Sequence, residues 1–199
     1  MSLRRNMVMI ALAASVAGAS LLVLAPYRRV AAADRLPDPL SDSAQSATGP
    51  KVLYDATALP VLVQRILKMI IVAAQSGDIE EMRPVLESNE LKPMVAAKHV
   101  DDPIAYWKKH SVDGSGRDIL ADMLNMLSTG SVLTGKGYDA MYVWPYFAET
   151  DLRKLTPRQQ VELYRMVPPE RAAAMMKTGK YTGYRLGVSP AGVWHYFIQ

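Results

Sequence analysis

Cysteine is absent from the 199 residues. Disulfides, thiolate nucleophiles and cysteine-bound metals are therefore excluded. Histidine is scarce: His99, His110 and His195 stand far apart and form no HExxH or comparable pair, so no histidine metal site is legible. An excess of one charge is also missing once the N-terminus is set aside. The chain carries 23 Lys and Arg against 19 Asp and Glu, and residues 1–33 hold Arg4, Arg5, Arg28 and Arg29 with no acid. Without those four, 19 basic residues face 19 acidic ones. A neutral remainder lacks the electrostatic footprint of a nucleic-acid binder, and it has no bulk attraction for anionic lipid. There is no G-x-S-x-G nucleophile elbow and no phosphate loop. No metal, cofactor or nucleic acid is expected, and no catalytic residue is assigned.

What is present begins with a leader. Arg4 and Arg5 precede an apolar run over residues 7–25, and Ala31, Ala32 and Ala33 then stand before Asp34. This order of basic, apolar and small residues predicts a secretory signal peptide over residues 1–33, cleaved after Ala33. The run of 19 residues is long for a signal-peptide core of roughly 7–15 and approaches the roughly 20 that span a bilayer. An uncleaved inner-membrane signal anchor is thus the competing expectation, with membrane contact through residues 7–25 alone. Either way the rest of the chain is expected in the periplasm. Residues 34–53 include Pro37, Pro39, Ser41, Ser43 and Ser46 and read as a flexible linker. Residues 54–199 are long enough for a single domain with its own core.

The pattern over that domain predicts an α+β fold, with a helical N-terminal part packed on a small C-terminal antiparallel sheet. Val63, Leu67, Ile70, Ile71 and Ala74 recur at helical spacing, which predicts a helix over residues 59–75 with Pro60 in its first turn. Asp78 with Glu81 has the form of a capping box for a second helix. Short helices are expected around residues 103–110 and from Ile119 to near Gly130. Thr156, Pro157 and Gln159 form a strong helix start, and another short helix is expected over 170–177. Residues 138–144 read as a strand stopped by Pro145. Residues 181–188 and 193–198 flank a Ser189-Pro190-Ala191-Gly192 turn and predict a C-terminal β-hairpin. Strict alternation would place Trp194, Tyr196 and Ile198 on one face, and Val193, His195 and Phe197 on the other.

Most of the fifteen aromatic residues lie at or after Tyr138. A three-stranded sheet with one uncovered face would present them as a stacking surface, since rings give large contact area at low entropy cost. On that basis Tyr142, Trp144, Tyr184, Arg185, Trp194 and His195 are the candidate ligand-binding residues. The alternative is that these rings are simply the core. Other constellations have plain readings. The segment from Asp113 to Arg117 has the look of an anion nest, but Ser115 capping the next helix, with Asp118 closing the box, accounts for it. His110 beside Ser111 and Asp113 suggests a triad only by adjacency, and triads are set in space. Glu80-Glu81 and Asp101-Asp102 read as solvated helix starts.

The stretches from Asp113 to Arg117, from Tyr142 to Glu149, and Tyr184-Arg185-Leu186-Gly187 with Trp194-His195-Tyr196-Phe197 carry a family likeness. On them the C-terminal two-thirds of the chain is similar to an uncharacterised family of exported proteobacterial proteins. The resemblance implies export and a shared domain, and it transfers no catalytic residue. The leading expectation is a periplasmic binding or interaction module of the cell envelope, whose partner is a cell-wall glycan, a peptide or an envelope protein. Two alternatives stand beside it. One is a cell-wall or small-molecule hydrolase using scattered carboxylates and His195; the other is a membrane-anchored structural protein.

Overall fold

A computed structural model describes residues 49–199. The leader, the 7–25 run and most of the 34–53 linker lie outside the described residues.

Apolar residues three and four apart build α1 (Val61–Gln75), whose Val63, Ile66, Leu67, Ile70, Ala73 and Ala74 are all buried. Pro60 is its N-cap rather than a first-turn residue. Asp78 accepts from Glu80 N at 3.0 Å and starts a 3₁₀ turn (Ile79–Glu81) that runs into α2 (Met82–Ser88). The cap thus serves a tighter turn, not the box expected with Glu81. Asp102 caps α3 (Pro103–His110) through bonds from Ile104 N and Ala105 N. Gly116, in the left-handed region, is the N-cap of α4 (Arg117–Leu127). Asp118 closes no box there but turns back to accept from Val112 N at 2.9 Å. The expected box at α5 (Pro157–Met166) is complete: Gln159 N donates to Thr156 Oγ1 and Thr156 N donates to Gln159 Oε1. Helix α6 (Pro169–Thr178) follows at once.

The sheet has five strands rather than three. Strands β1 (Val52–Leu53), β2 (Ser131–Thr134), β3 (Met141–Trp144), β4 (Arg185–Val188) and β5 (Trp194–Ile198) lie in chain order, and every neighbouring pair is antiparallel. Strands β1 and β2 are too short to show a period, so nothing in the sequence announced them. Because Val52 and Leu53 already belong to the sheet, the folded part begins inside the expected linker.

Both faces of the sheet are covered. Side chains alternate along β3, so Tyr142 and Trp144 join a core with Leu186, Val188, Trp194 and Phe197 beneath α1, α3 and α4. Val143 points the other way, into a second core with Val132, Tyr146, Phe147, Leu163 and Met175 under α5 and α6. The expected helical layer on one side is therefore half of the architecture; the C-terminal helices supply the other.

A bulge corrects the expected facing of the last strand. Leu186 pairs with Phe197 and Gly187 with Tyr196, but Val188 pairs with Trp194, so His195 is the extra residue. One inserted residue shifts alternation by a step. Trp194 and Phe197 consequently share a face, on which Trp107 lies 6.2 Å from Trp194 and 6.0 Å from Phe197 between ring centroids. Tyr196 is on the opposite face, over Gly187. A Cβ at Gly187 would lie 2.4 Å from the Tyr196 ring, so glycine makes room for that ring.

The outer edge of β5 is not left open. Met94 N donates to His195 O at 2.8 Å, and Phe197 N donates to Met94 O at 2.9 Å. The Asn89 amide does the same work one step earlier: its Nδ2 donates to Trp194 O at 2.8 Å, and its Oδ1 accepts from Trp194 N at 2.9 Å. Covering an edge in this way removes a template for wrong pairing. No described helix is long and apolar enough to cross a membrane.

Candidate functional site

The six residues expected to bind a ligand do not form one surface. Tyr142, Trp144 and Trp194 are buried in the first core, so a stacking surface built on them is overturned by the helices that cover that face. Tyr184 is half-buried, with its ring stacked on Phe197 at 4.6 Å. Arg185 is exposed, opposite Ile198. His195 is half-buried at the bulge, and its carbonyl is tied to Met94. Of the six, only Tyr184 reaches a cleft described below.

Two clefts open along α4. The smaller, about 170 Å³, lies between the end of α4 and α5 and includes Glu162 and Arg165. Its acid is already engaged, because Glu162 Oε2 accepts from Tyr146 Oη at 2.8 Å and from Tyr54 Oη at 3.1 Å. Burial, reinforced by the Glu162 charge, pushes the Tyr146 phenol well above its usual range. This corner reads as a brace that ties the N-terminal edge of the sheet to α5.

The larger cleft, about 230 Å³, is polar and gathers residues from α3, α4, the α5–α6 junction, α6 and the approach to β4. His110 comes from the end of α3, Asp118 and Asp122 from α4, Arg171 from α6, and Tyr181 and Tyr184 from the approach to β4. Asp118 and Asp122 are one helical turn apart, so they project from one face of α4. A Cβ at Gly183 would lie 2.3 Å from the Tyr181 hydroxyl. The glycine thus lets that phenol fold back along the wall.

The two acids have opposite electrostatics. Burial works against charge on Asp118, but hydrogen bonds from Ser111 Oγ and Val112 N outweigh it and hold its carboxyl below the usual range. Asp122 has no such help. Burial, with the Asp118 charge beside it, raises its carboxyl above the usual range, and Arg171 offsets this only in part. Burial and the nearby Asp122 charge also raise the Tyr181 and Tyr184 phenols. Among the described residues neither the Asp122 carboxyl nor the Arg171 guanidinium makes a hydrogen bond or an ion pair.

Other expected constellations resolve into structure. The loop before α4 is filled by its own acids: Asp113 accepts from Ser115 N at 2.8 Å and from the Ser115 hydroxyl. An anion nest is therefore occupied from within. His110 Nδ1 lies 2.8 Å from Tyr106 O, and Ser111 faces carboxylates rather than the imidazole, so no triad forms. Glu80 pairs with Arg83 and Lys108. Neither cleft is lined by His195, named above for a hydrolase, or by Arg185.

Sequence reasoning missed Asp122 and Arg171 as site residues. The spacing of Asp118 and Asp122 was the one local signal, but the facing of α6 and of Tyr184 is set only by packing. Comparison with family models, with curated proteins and with solved structures finds no match to this chain.

Proposed function

We propose that this chain is an exported binding module of the cell envelope, and that its ligand enters the polar cleft beside α4 instead of lying on the sheet. The observation that carries the location is Asp122, a partly buried acid that shares a cleft with Arg171 and two tyrosines, both charged side chains being unpaired among the described residues. Titratable groups displaced by their surroundings and converging on a cleft make that cleft a functional-site candidate with a stated physical cause. Export is supported by the order of residues 1–33. The family resemblance supports it as well. Two experiments test the proposal. A phosphatase reporter that works only outside the cytoplasm, fused behind Gln199, is expected to be active; an inactive fusion that is made in full ends the export reading. Titration of the labelled protein with cell-wall peptides and glycan fragments is expected to move the amide signals around Asp122 and Tyr184. Shifts confined to Arg185 and His195 would return the site to the sheet.

A second reading, a hydrolase, has one observation in its favour. Two carboxylates a turn apart are pushed in opposite directions, which is how one site holds a proton donor beside an ionised partner. Turnover of a wall fragment that disappears in Asp122→Asn would establish it, and binding without turnover would exclude it for that fragment.

A further inference from the structure

Resting on that cleft as the ligand site, we propose that it recognises a small zwitterion, an amino-acid head with a free ammonium and a free carboxylate. Asp122 and Arg171 line the same cleft, and Arg171 is near enough for its charge to act on the Asp122 carboxyl. Yet they form no ion pair: none is found between them within the 4.0 Å that defines one. An acid and a base that face one cavity without closing on each other leave room for a group that satisfies both. The ammonium meets Asp122 and the carboxylate meets Arg171, each by a charge-assisted hydrogen bond. Asp118 is the less available acid, because one of its oxygens already accepts from Ser111 Oγ and the other from Val112 N. Tyr181 and Tyr184 line the same cleft.

Size narrows the class. At about 230 Å³ the cleft falls below the roughly 300–1,000 Å³ of sites for drug-sized ligands. It has room for one amino-acid head, and its open side leaves the rest of a longer ligand outside. A purely anionic ligand would leave Asp122 opposed, and a purely cationic one would leave Arg171 opposed. A neutral sugar would use neither charge. The same head occurs free in solution, or on a peptide whose diaminopimelate side chain ends in an unblocked amine and carboxylate.

The test is a calorimetric titration of the full-length protein with five probes: alanine, a diaminopimelate peptide with blocked termini, N-acetylalanine, alanine amide and N-acetylglucosamine. Alanine or the diaminopimelate peptide is expected to bind, and the better of the two identifies the source. Blocking either charge is expected to weaken binding at least about tenfold, the loss of one charge-assisted bond. Asp122→Asn is expected to abolish the penalty for blocking the amine while keeping that for the carboxylate, and Arg171→Gln the reverse. Amide signals of the two variants confirm that they are folded. If N-acetylglucosamine or the blocked forms bind as well as the zwitterions, and Tyr184→Ala weakens them, the cleft stands and the zwitterion falls. If no probe binds and no signal near Asp122 moves, both are overturned.

Discussion

Replacing Asn89 with Ala tests how the edge of the sheet is closed. The Asn89 amide donates to Trp194 O at 2.8 Å and accepts from Trp194 N at 2.9 Å, a side chain standing in for a neighbouring strand. Each such bond contributes about 0.5–1.5 kcal/mol net, and a part-buried group left unpaired costs more. The two bonds to Trp194, whose backbone groups are left to find water, give about 2 kcal/mol, and the bond from Asn89 Nδ2 to Leu91 O is lost with them. For a domain near 150 residues this lowers Tm by roughly 4–8 °C. Hydrogen exchange at the Trp194 amide is the sharper readout, because that proton loses its acceptor while the core beneath is untouched. Asn89→Asp separates the two bonds. It keeps an acceptor for Trp194 N but sets a carboxylate against Trp194 O, so the amide is expected to stay protected while stability falls as in Asn89→Ala. An unchanged Tm together with an unchanged exchange rate at Trp194 in Asn89→Ala would refute the strap.

Trp144→Ala and Trp194→Ala are each expected to destabilise the domain by about 3–5 kcal/mol, as for buried aromatic truncation, whereas Arg185→Ala on the exposed edge should stay within about 0.5 kcal/mol; urea unfolding measures both, and full stability of the tryptophan variants would restore the stacking surface. Tyr146→Phe and Glu162→Ala share one bond of 2.8 Å, so the double variant is expected to lose less than the two singles together by about 1 kcal/mol; strict additivity would mean that the brace carries no coupling. Asp122 titrates above the ordinary carboxylate value, because burial and Asp118 outweigh Arg171, with His110, Tyr181 and Tyr184 also facing it from the other elements of the cleft. A raised acid costs the fold nothing below its ordinary value and progressively more as pH rises through the folded one. Asp122→Asn should therefore be more stable than the parent at neutral pH, and the gap should close below about pH 4. A gap that widens on acidification has the wrong sign and would show that Asp122 is stabilised as the charged form. Deleting residues 194–199 removes β5 with Trp194 and Phe197 and is expected to abolish cooperative unfolding; an unchanged melting transition would remove β5 from the fold.

The sequence determined what depends on near neighbours. Asp102 before Pro103, the Thr156–Gln159 pair and the apolar stripe from Val63 to Ala74 locate helices, because caps and i, i+4 contacts reach only a turn along the chain. The Ser189–Gly192 turn likewise located the hairpin, where Gly192 N donates to Ser189 O at 2.8 Å. Tertiary structure decided everything that depends on a second layer. Composition showed that Tyr142, Trp144 and Trp194 were numerous rings at sheet spacing, but their burial required α1, α3 and α4 to lie on that face and α5 and α6 on the other. The bulge at His195 inverted the facing of half a strand, since alternation alone carries no mark of an inserted residue. The meeting of Asp122 with Arg171 and Tyr184 is of the same kind. Those residues are far apart along the chain, and no local pattern reports a distance that is fixed only when the helices close over the sheet.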